Sequence, residues 1–233
     1  MNKIKVICFD ADDTLWVNEP YYREIEHLFC RLMTSHTDEK SCNEILLQTE
    51  INNIRLYGYG AKSFVLSMIE TAVKLSSHTI DSKTIEQILQ LGRDLINKPL
   101  QLLDGVQDIL AHFKGKYRLI LATKGDLLDQ ERKLKNSALE KYFHHIEIMS
   151  EKDVSNYKKL IAHLDVQPDE FAMIGNSIKS DILPVLNIGA YAIHVPCETT
   201  WAHEQAENSE IENPRFRETD QIIKIKEIIP SFK

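Results

Sequence analysis

Long apolar runs are missing from this 233-residue chain. No stretch approaches the roughly 18 apolar residues that a membrane-spanning helix needs, which argues against a membrane protein. Positive charge is in deficit as well. Against 35 Asp and Glu stand 28 Lys and Arg, a net charge of -7 that disfavours nonspecific binding to nucleic acid or to an anionic membrane surface. Cysteine is sparse. Cys8, Cys30, Cys42 and Cys197 form no C-x-x-C pair, a pattern that suits reduced thiols in a cytoplasm better than a disulfide framework. The nine histidines show no H-E-x-x-H spacing. The adjacent pair His144 and His145 would point to opposite faces of a strand and makes no zinc site. There is no internal repeat and no low-complexity segment. Met1, Asn2 and Lys3 lead straight into an apolar run, which leaves no expected signal peptide.

What is present is an ordinary globular composition, 43% hydrophobic and 27% charged, enough for one large domain or two unequal ones. The run Ile4 to Phe9 is short, apolar and rich in β-branched residues, the pattern of a strand buried on both faces of a parallel sheet. Asp10, Asp12 and Asp13 follow at its carboxyl end. Carboxylates this close repel one another, and a hard divalent cation such as Mg2+, which takes oxygen ligands, would relieve the repulsion. Open α/β sheets bind ligands outside the carboxyl ends of their strands. A plain acidic turn is the simpler alternative.

Beyond Trp16 the periodicity becomes helical. Ile25, Leu28, Phe29 and Leu32, residues around Cys42 to Leu56, then Val65 to Val73, and Ile85 to Ile96 mark four expected helices. Between the second and third, Tyr57, Gly58, Tyr59, Gly60 and Lys62 form a tight connection from which the tyrosines project. After Pro99 strands and helices alternate. Strands are expected at Arg118–Thr123, Ile146–Met149, Phe171–Ile174 and Ala190–Val195. A helix opened by Asp104 precedes them, others are expected over 126–139, 154–164 and 178–186, and a short one over 222–229. The implied fold is α/β, a doubly wound, mainly parallel Rossmann-like sheet formed by residues 1–16 and 100–233, with an inserted α-helical domain over 17–99.

Polar residues stand at each strand end: Asp10, Thr123, Lys152, and the segment Gly175 to Asp181. Asp10-x-Asp12-x-Thr14 after an apolar strand, with these later residues in order, resembles the haloacid dehalogenase superfamily in its phosphatase form. That resemblance implies a Mg2+-dependent phosphomonoester hydrolase with a helical cap, acting on a small phosphorylated metabolite such as a sugar phosphate or nucleoside monophosphate. Asp10 becomes the nucleophile that forms an aspartyl-phosphate, and Asp12 the acid and base serving the leaving oxygen and water. Thr123 hydrogen-bonds the phosphoryl group, and Lys152, followed by an aromatic at Tyr157, supplies the cation. The metal set is Asp10, the main-chain carbonyl of Asp12, Asp181 and Asn176. Asn176 stands where most phosphatase relatives have an acid, and Asp153 where a proline is usual. Lys124, Gly125, Tyr57, Tyr59, Lys62 and Trp16 are the expected substrate contacts. Lys124 can face the site or solvent, and sequence does not decide.

Asp12 argues against halide release, which needs no such proton donor. A phosphomutase would use the same motifs. A phosphoacceptor receiver domain shares the parts list but is about half as long, without the helical insertion. The expected protein is cytoplasmic, a monomer or homodimer, with no nucleic-acid or membrane partner.

Overall fold

The computed structural model describes residues 3–197, 199, 201–204 and 211–232. In chain order the elements are β1 (Val6–Phe9), α1 (Glu19–Leu32), α2 (Glu39–Tyr57), α3 (Ala61–Leu75), α4 (Ser82–Ile96), α5 (Val106–Phe113), β2 (Arg118–Lys124), α6 (Leu127–Ser137), β3 (His145–Met149) and α7 (Val154–His163). They continue with β4 (Phe171–Gly175), α8 (Leu183–Asn187), β5 (Tyr191–His194), β6 (Phe216–Glu218) and α9 (Ile225–Ile228). No described helix is long and apolar enough to cross a membrane. The chain divides into two compact units: residues 1–17, 100–124 and 132–233, and residues 18–99 with 125–131.

The first unit is built on a six-stranded sheet of order β3-β2-β1-β4-β5-β6, parallel throughout. Side-chain alternation sorts its strands into two cores. Ile7, Phe9, Leu119, Leu121, Ile174 and Ile193 pack on one face with Val106, Ile109, Leu110 and Phe113 of α5 and Ile225 of α9. Val6, Cys8, Ile120, Ala122, Met173 and Ala192 pack on the other with Tyr157, Leu160 and Ile161 of α7 and Val185 and Leu186 of α8. Because both faces are covered, β1 reads as a continuous apolar run, and all four of its residues are buried. The chain runs outward from β1 to β2 and β3, then returns to place β4 on the other side of β1. That reversal opens a crevice at the carboxyl ends of β1 and β4.

Three local readings change. The helix expected to open on Asp104 is capped instead by Gly105 (φ 79°) without side-chain help, since a Cβ there would crowd Ile223 at 3.2 Å. The single helix expected over 178–186 begins as a wide π-type turn, Ile178–Ile182, before α8. A sixth strand, β6, extends the sheet beside β5. Only Ala202–Glu204 of the polar segment after Trp201 forms a short helical turn, and residues 205–210 lie outside those described.

The second unit is made of α1 to α4 and the start of α6. Asp38 caps α2 through Ser41 N–H at 3.0 Å, and Asp81 caps α4 through Thr84 N–H at 2.9 Å. Ile25, Phe29, Met33, Leu46, Phe64, Met68, Ala72 and Ile88 form its core, each large side chain worth about 1.5–3 kcal/mol on burial. Gly92 lets α4 close on α3, because a Cβ there would overlap Val65.

Candidate active site

The Asp10 N–H extends the β1 ladder by donating to Ile174 C=O of β4 at 2.9 Å, which fixes the residue at the crevice. Its carboxylate is 7% exposed. Oδ1 accepts from the Lys152 ammonium, which also donates to Asp181 Oδ1 at 2.7 Å. Asp10 Oδ2 lies 2.9 Å from Thr14 Oγ1, and the same hydroxyl lies 3.2 Å from Asn176 Oδ1. One hydroxyl proton serves one of these acceptors at a time. Burial pushes the Asp10 carboxyl up from its ordinary value against the pull of Lys152, and the Asp181 charge adds to the push. For Lys152 burial alone would act downward. The two carboxylates outweigh it and hold the ammonium above the usual lysine value. Asp10, Lys152 and Asp181, remote in sequence, form one buried cluster.

The loop after β4 is shaped to deliver Asp181. Its Oδ2 accepts from Ser177 N–H at 3.0 Å, inside the π-type turn where Asp181 N–H reaches Ser177 C=O at 2.8 Å. The carboxylate occupies the volume that a Cβ on Gly175 would take, so no residue but glycine admits this arrangement. Asn176 is held through its own carbonyl, 3.0 Å from His194 Nε2, while His194 Nδ1 lies 2.7 Å from Glu218 Oε2. Lys152 begins the next helix through its neighbour: Asp153, in the place of the usual proline, caps α7 by accepting from Asn156 N–H at 2.8 Å. Tyr157 is fully buried and donates its hydroxyl to Ser180 C=O at 3.2 Å, and burial holds that phenol well above its usual value.

Asp12 is turned to different partners. Its Oδ1 accepts from Trp16 Nε1 at 2.6 Å and from Lys133 Nζ at 2.9 Å. Trp16 is 1% exposed. Trp16, expected as a substrate contact, is a buried indole that donates to Asp12. Asp13 takes φ 60° and donates its N–H to Trp16 C=O at 2.8 Å, the turn that folds the indole back.

Thr123, 2% exposed, is the last residue but one of β2, two beyond the Phe9–Leu121 pair. Lys124 does not present its charge outward. Its ammonium donates to Glu204 Oε1 at 2.6 Å and to Ser180 Oγ at 2.9 Å. Glu204 Oε2 in turn accepts from Ser177 Oγ at 2.5 Å and Ser180 Oγ at 2.6 Å. Burial would raise the Glu204 carboxyl, but Lys124 and the two serines outweigh it and bring it down to about 2. Lys124, whose direction the sequence left open, forms an internal ion pair with Glu204 beside the loop that carries Asp181.

Tyr57, Tyr59, Lys62 and Gly125 belong to the second unit. Tyr57 is exposed at the end of α2, Gly58 and Gly60 take φ of 70° and 105°, and Lys62 pairs with Asp126 Oδ2 at 2.7 Å. Gly125 has φ 135°, and a Cβ there would stand 3.0 Å from Gln130 Nε2. Sequence reasoning passed over Lys133, Glu204, Ser177, Ser180 and His194. The Thr14 hydroxyl lies between Asp10 and Asn176. Of these only the i,i+4 spacing of Asp10 and Thr14 carried any local signal.

These features match a known pattern. The haloacid dehalogenase-like hydrolase family matches residues 4–189. A haloacid dehalogenase-like family hydrolase from Xanthomonas campestris superimposes with a TM-score of 0.88 at 35% identity, over 99% of this chain and 92% of that one. The N-acylneuraminate-9-phosphatase of Mus musculus is 25% identical over 203 residues, 82% of each chain. A Bacillus subtilis HAD-hydrolase solved bound to magnesium has a TM-score of 0.66 at 17% identity, over 97% and 98% of the chains, a likeness of fold. The chain belongs to the haloacid dehalogenase-like hydrolase family. It is an enzyme, and the curated relatives it resembles are phosphatases.

Proposed function

We propose that the protein is a Mg2+-dependent phosphomonoester hydrolase of the cytoplasm, working through an aspartyl-phosphate on Asp10. The observation that carries this is the buried Asp10–Lys152–Asp181 cluster at the crevice where the strand order reverses. A carboxylate nucleophile aimed at phosphorus needs a cation to hold it and the phosphoryl oxygens together. Lys152 supplies one within the chain.

The donor chemistry supports a hard divalent metal. Asp10, Asp181 and Asn176 offer oxygen only, and shared contacts to Lys152 and Thr14 tie them together. Among the described residues no three His, Cys, Asp or Glu side chains gather as a metal cage, here or elsewhere, so the proposed set needs the amide and main-chain oxygens beside the two carboxylates. The cluster holds one cation against two carboxylates, so a further positive charge is welcome there. Asp10, Asp181, the Asp12 carbonyl and Asn176 would hold Mg2+, which when bound neutralises charge on the phosphoryl oxygens. Asn176 brings no charge of its own, so affinity rests on the two carboxylates.

In the first step an Asp10 oxygen bonds to phosphorus as the bond to the leaving oxygen breaks, and protonated Asp12 gives that oxygen its proton. In the second step the Asp12 carboxylate takes a proton from water as the water oxygen attacks phosphorus, which frees Asp10 and inorganic phosphate. Thr123 steadies the phosphoryl group through its hydroxyl. Residues 17–99 correspond to the helical cap domain that the family resemblance implies. The curated relatives' substrate class, a phosphorylated sugar acid, makes sugar and sugar-acid phosphates the first candidates, ahead of nucleoside monophosphates.

The test is phosphate release from a panel of phosphorylated metabolites, with Mg2+ or with chelator, for the native chain and Asp10→Asn. Asp10→Asn is expected to lose at least about 10³-fold in kcat, and borohydride should trap a reducible acyl phosphate at residue 10 in the native chain alone. Native-rate hydrolysis by Asp10→Asn would sink the nucleophile assignment. Phosphate passing from one sugar to another, with no net release, would make the enzyme a mutase.

A further inference from the structure

Asp12 is braced from two directions. Trp16 Nε1 and Lys133 Nζ, at 2.6 and 2.9 Å, both donate to the same oxygen, Oδ1. An isolated aspartate carboxylate has a broad, two-fold χ2 torsion, so its two oxygens exchange places readily. Two donors converging on one oxygen remove that symmetry. The donors themselves are well fixed. Trp16 is 1% exposed, its backbone bridges both Asp12 and Leu102, and its indole lies in the core with Leu15 and Leu103. Lys133 reaches Asp12 from α6, and both side chains are only about a fifth exposed, at 20% and 23%. An ammonium donating to a carboxylate in such surroundings makes a stronger contact than a neutral pair does.

We infer that Lys133 is a positioning residue, and Trp16 its partner, which together clamp Asp12 through Oδ1 and so set the orientation in which its carboxyl delivers a proton to the leaving oxygen. The inference rests on the reading of Asp12 as the proton donor. Its consequence is a dependence on the leaving group. An ester that departs as a poor anion needs the proton delivered in line, whereas p-nitrophenolate departs without one. Misplacing the donor should therefore slow phenyl phosphate far more than p-nitrophenyl phosphate.

The experiment compares the native enzyme with Lys133→Met, Lys133→Arg, Trp16→Phe and Asp12→Asn on both esters, with circular dichroism to check folding. In the first turnover, before the second step that both esters share, Lys133→Met is expected to release phenol from phenyl phosphate about 10- to 100-fold more slowly, with KM nearly unchanged, and p-nitrophenol from its ester with much less loss. Lys133→Arg should recover most of the loss, and Trp16→Phe should show the same leaving-group bias more weakly. In an Asp12→Asn background Lys133→Met should add nothing. Equal losses on both esters, or a rise in KM with kcat unchanged, would overturn the inference, the second by making Lys133 a substrate contact. A native rate for Asp12→Asn on phenyl phosphate would overturn the acid itself. Loss in Asp12→Asn with a native rate in Lys133→Met would overturn the clamp alone.

Discussion

The two units handle partly buried carboxylates in opposite ways. In the sheet unit, Glu204 meets Lys124 and two serine hydroxyls, which overcome the effect of burial and bring its carboxyl down to about 2. In the helical unit, burial pushes Glu50 of α2 up to about 8, and the charges of Glu26 and Glu19 add to the push, with Arg23 alone opposing them. Arg23 is itself shared between Glu19 and Glu26 at 3.0 Å each. Glu204 is thus kept ionised by its lysine and serines, and Glu50 holds its proton at neutral pH. Asp10 lies between the two, pushed up by burial against the pull of Lys152.

Removing a lysine should break that contrast most severely. Lys152→Met leaves Asp10 and Asp181 buried without their shared cation, at a cost of about 3–5 kcal/mol in stability. Activity should fall by about 10²- to 10³-fold. Thermal melts should show part of the stability returning as pH is lowered, because protonating one carboxylate relieves the repulsion. A melting temperature equal to the native one at neutral pH would refute the account of the cluster.

A smaller effect is expected from Glu204→Gln. The loop from Ser177 to Asp181 would lose its charged anchor, and the Mg2+ concentration for half-maximal activity should rise by about tenfold, with a lesser change in saturated kcat. The native ion pair contributes stability above the ordinary carboxylate range, and that contribution fades as pH falls toward 2. Unchanged Mg2+ dependence would separate this anchor from the metal-binding loop.

The mildest change should be a gain. Glu50 binds its proton more tightly folded than unfolded, so its contribution is present below about pH 4.5 and is lost as pH rises through about 8. Glu50→Gln should melt like the native chain near pH 4 and above it at pH 8, by on the order of 1–3 kcal/mol. Equal melting of the two at pH 8 would show that the carboxyl is solvated.

Strand-end chemistry was legible in the sequence because strands covered on both faces read as apolar runs, so the polar residue that ends each one stands out. Asp10, Lys152 and Asp181, which the structure brings together, stand out in this way, as does Thr123. The direction of Lys124 was not legible, since its partner Glu204 lies 80 residues further on. Lys133 read as one more charge on an amphipathic helix, and Trp16 as a substrate contact, because their link to Asp12 depends on how the turn after β1 folds back. The edge strand β6 has three residues, two of them exposed, too few for any periodicity. The Gly105 cap was masked by an Asp104 that fits the usual side-chain rule. In each case the missing information was tertiary.

The close fit of Asp181 against Gly175 has a consequence for reading other chains. At this position even a single methyl competes for space with the acid, so the two residues are bound to change together. A homologue with alanine at the corresponding point must have moved its acidic group to another part of the loop. The glycine is therefore a marker, visible in sequence alone, of chains that keep their second carboxylate where this one does.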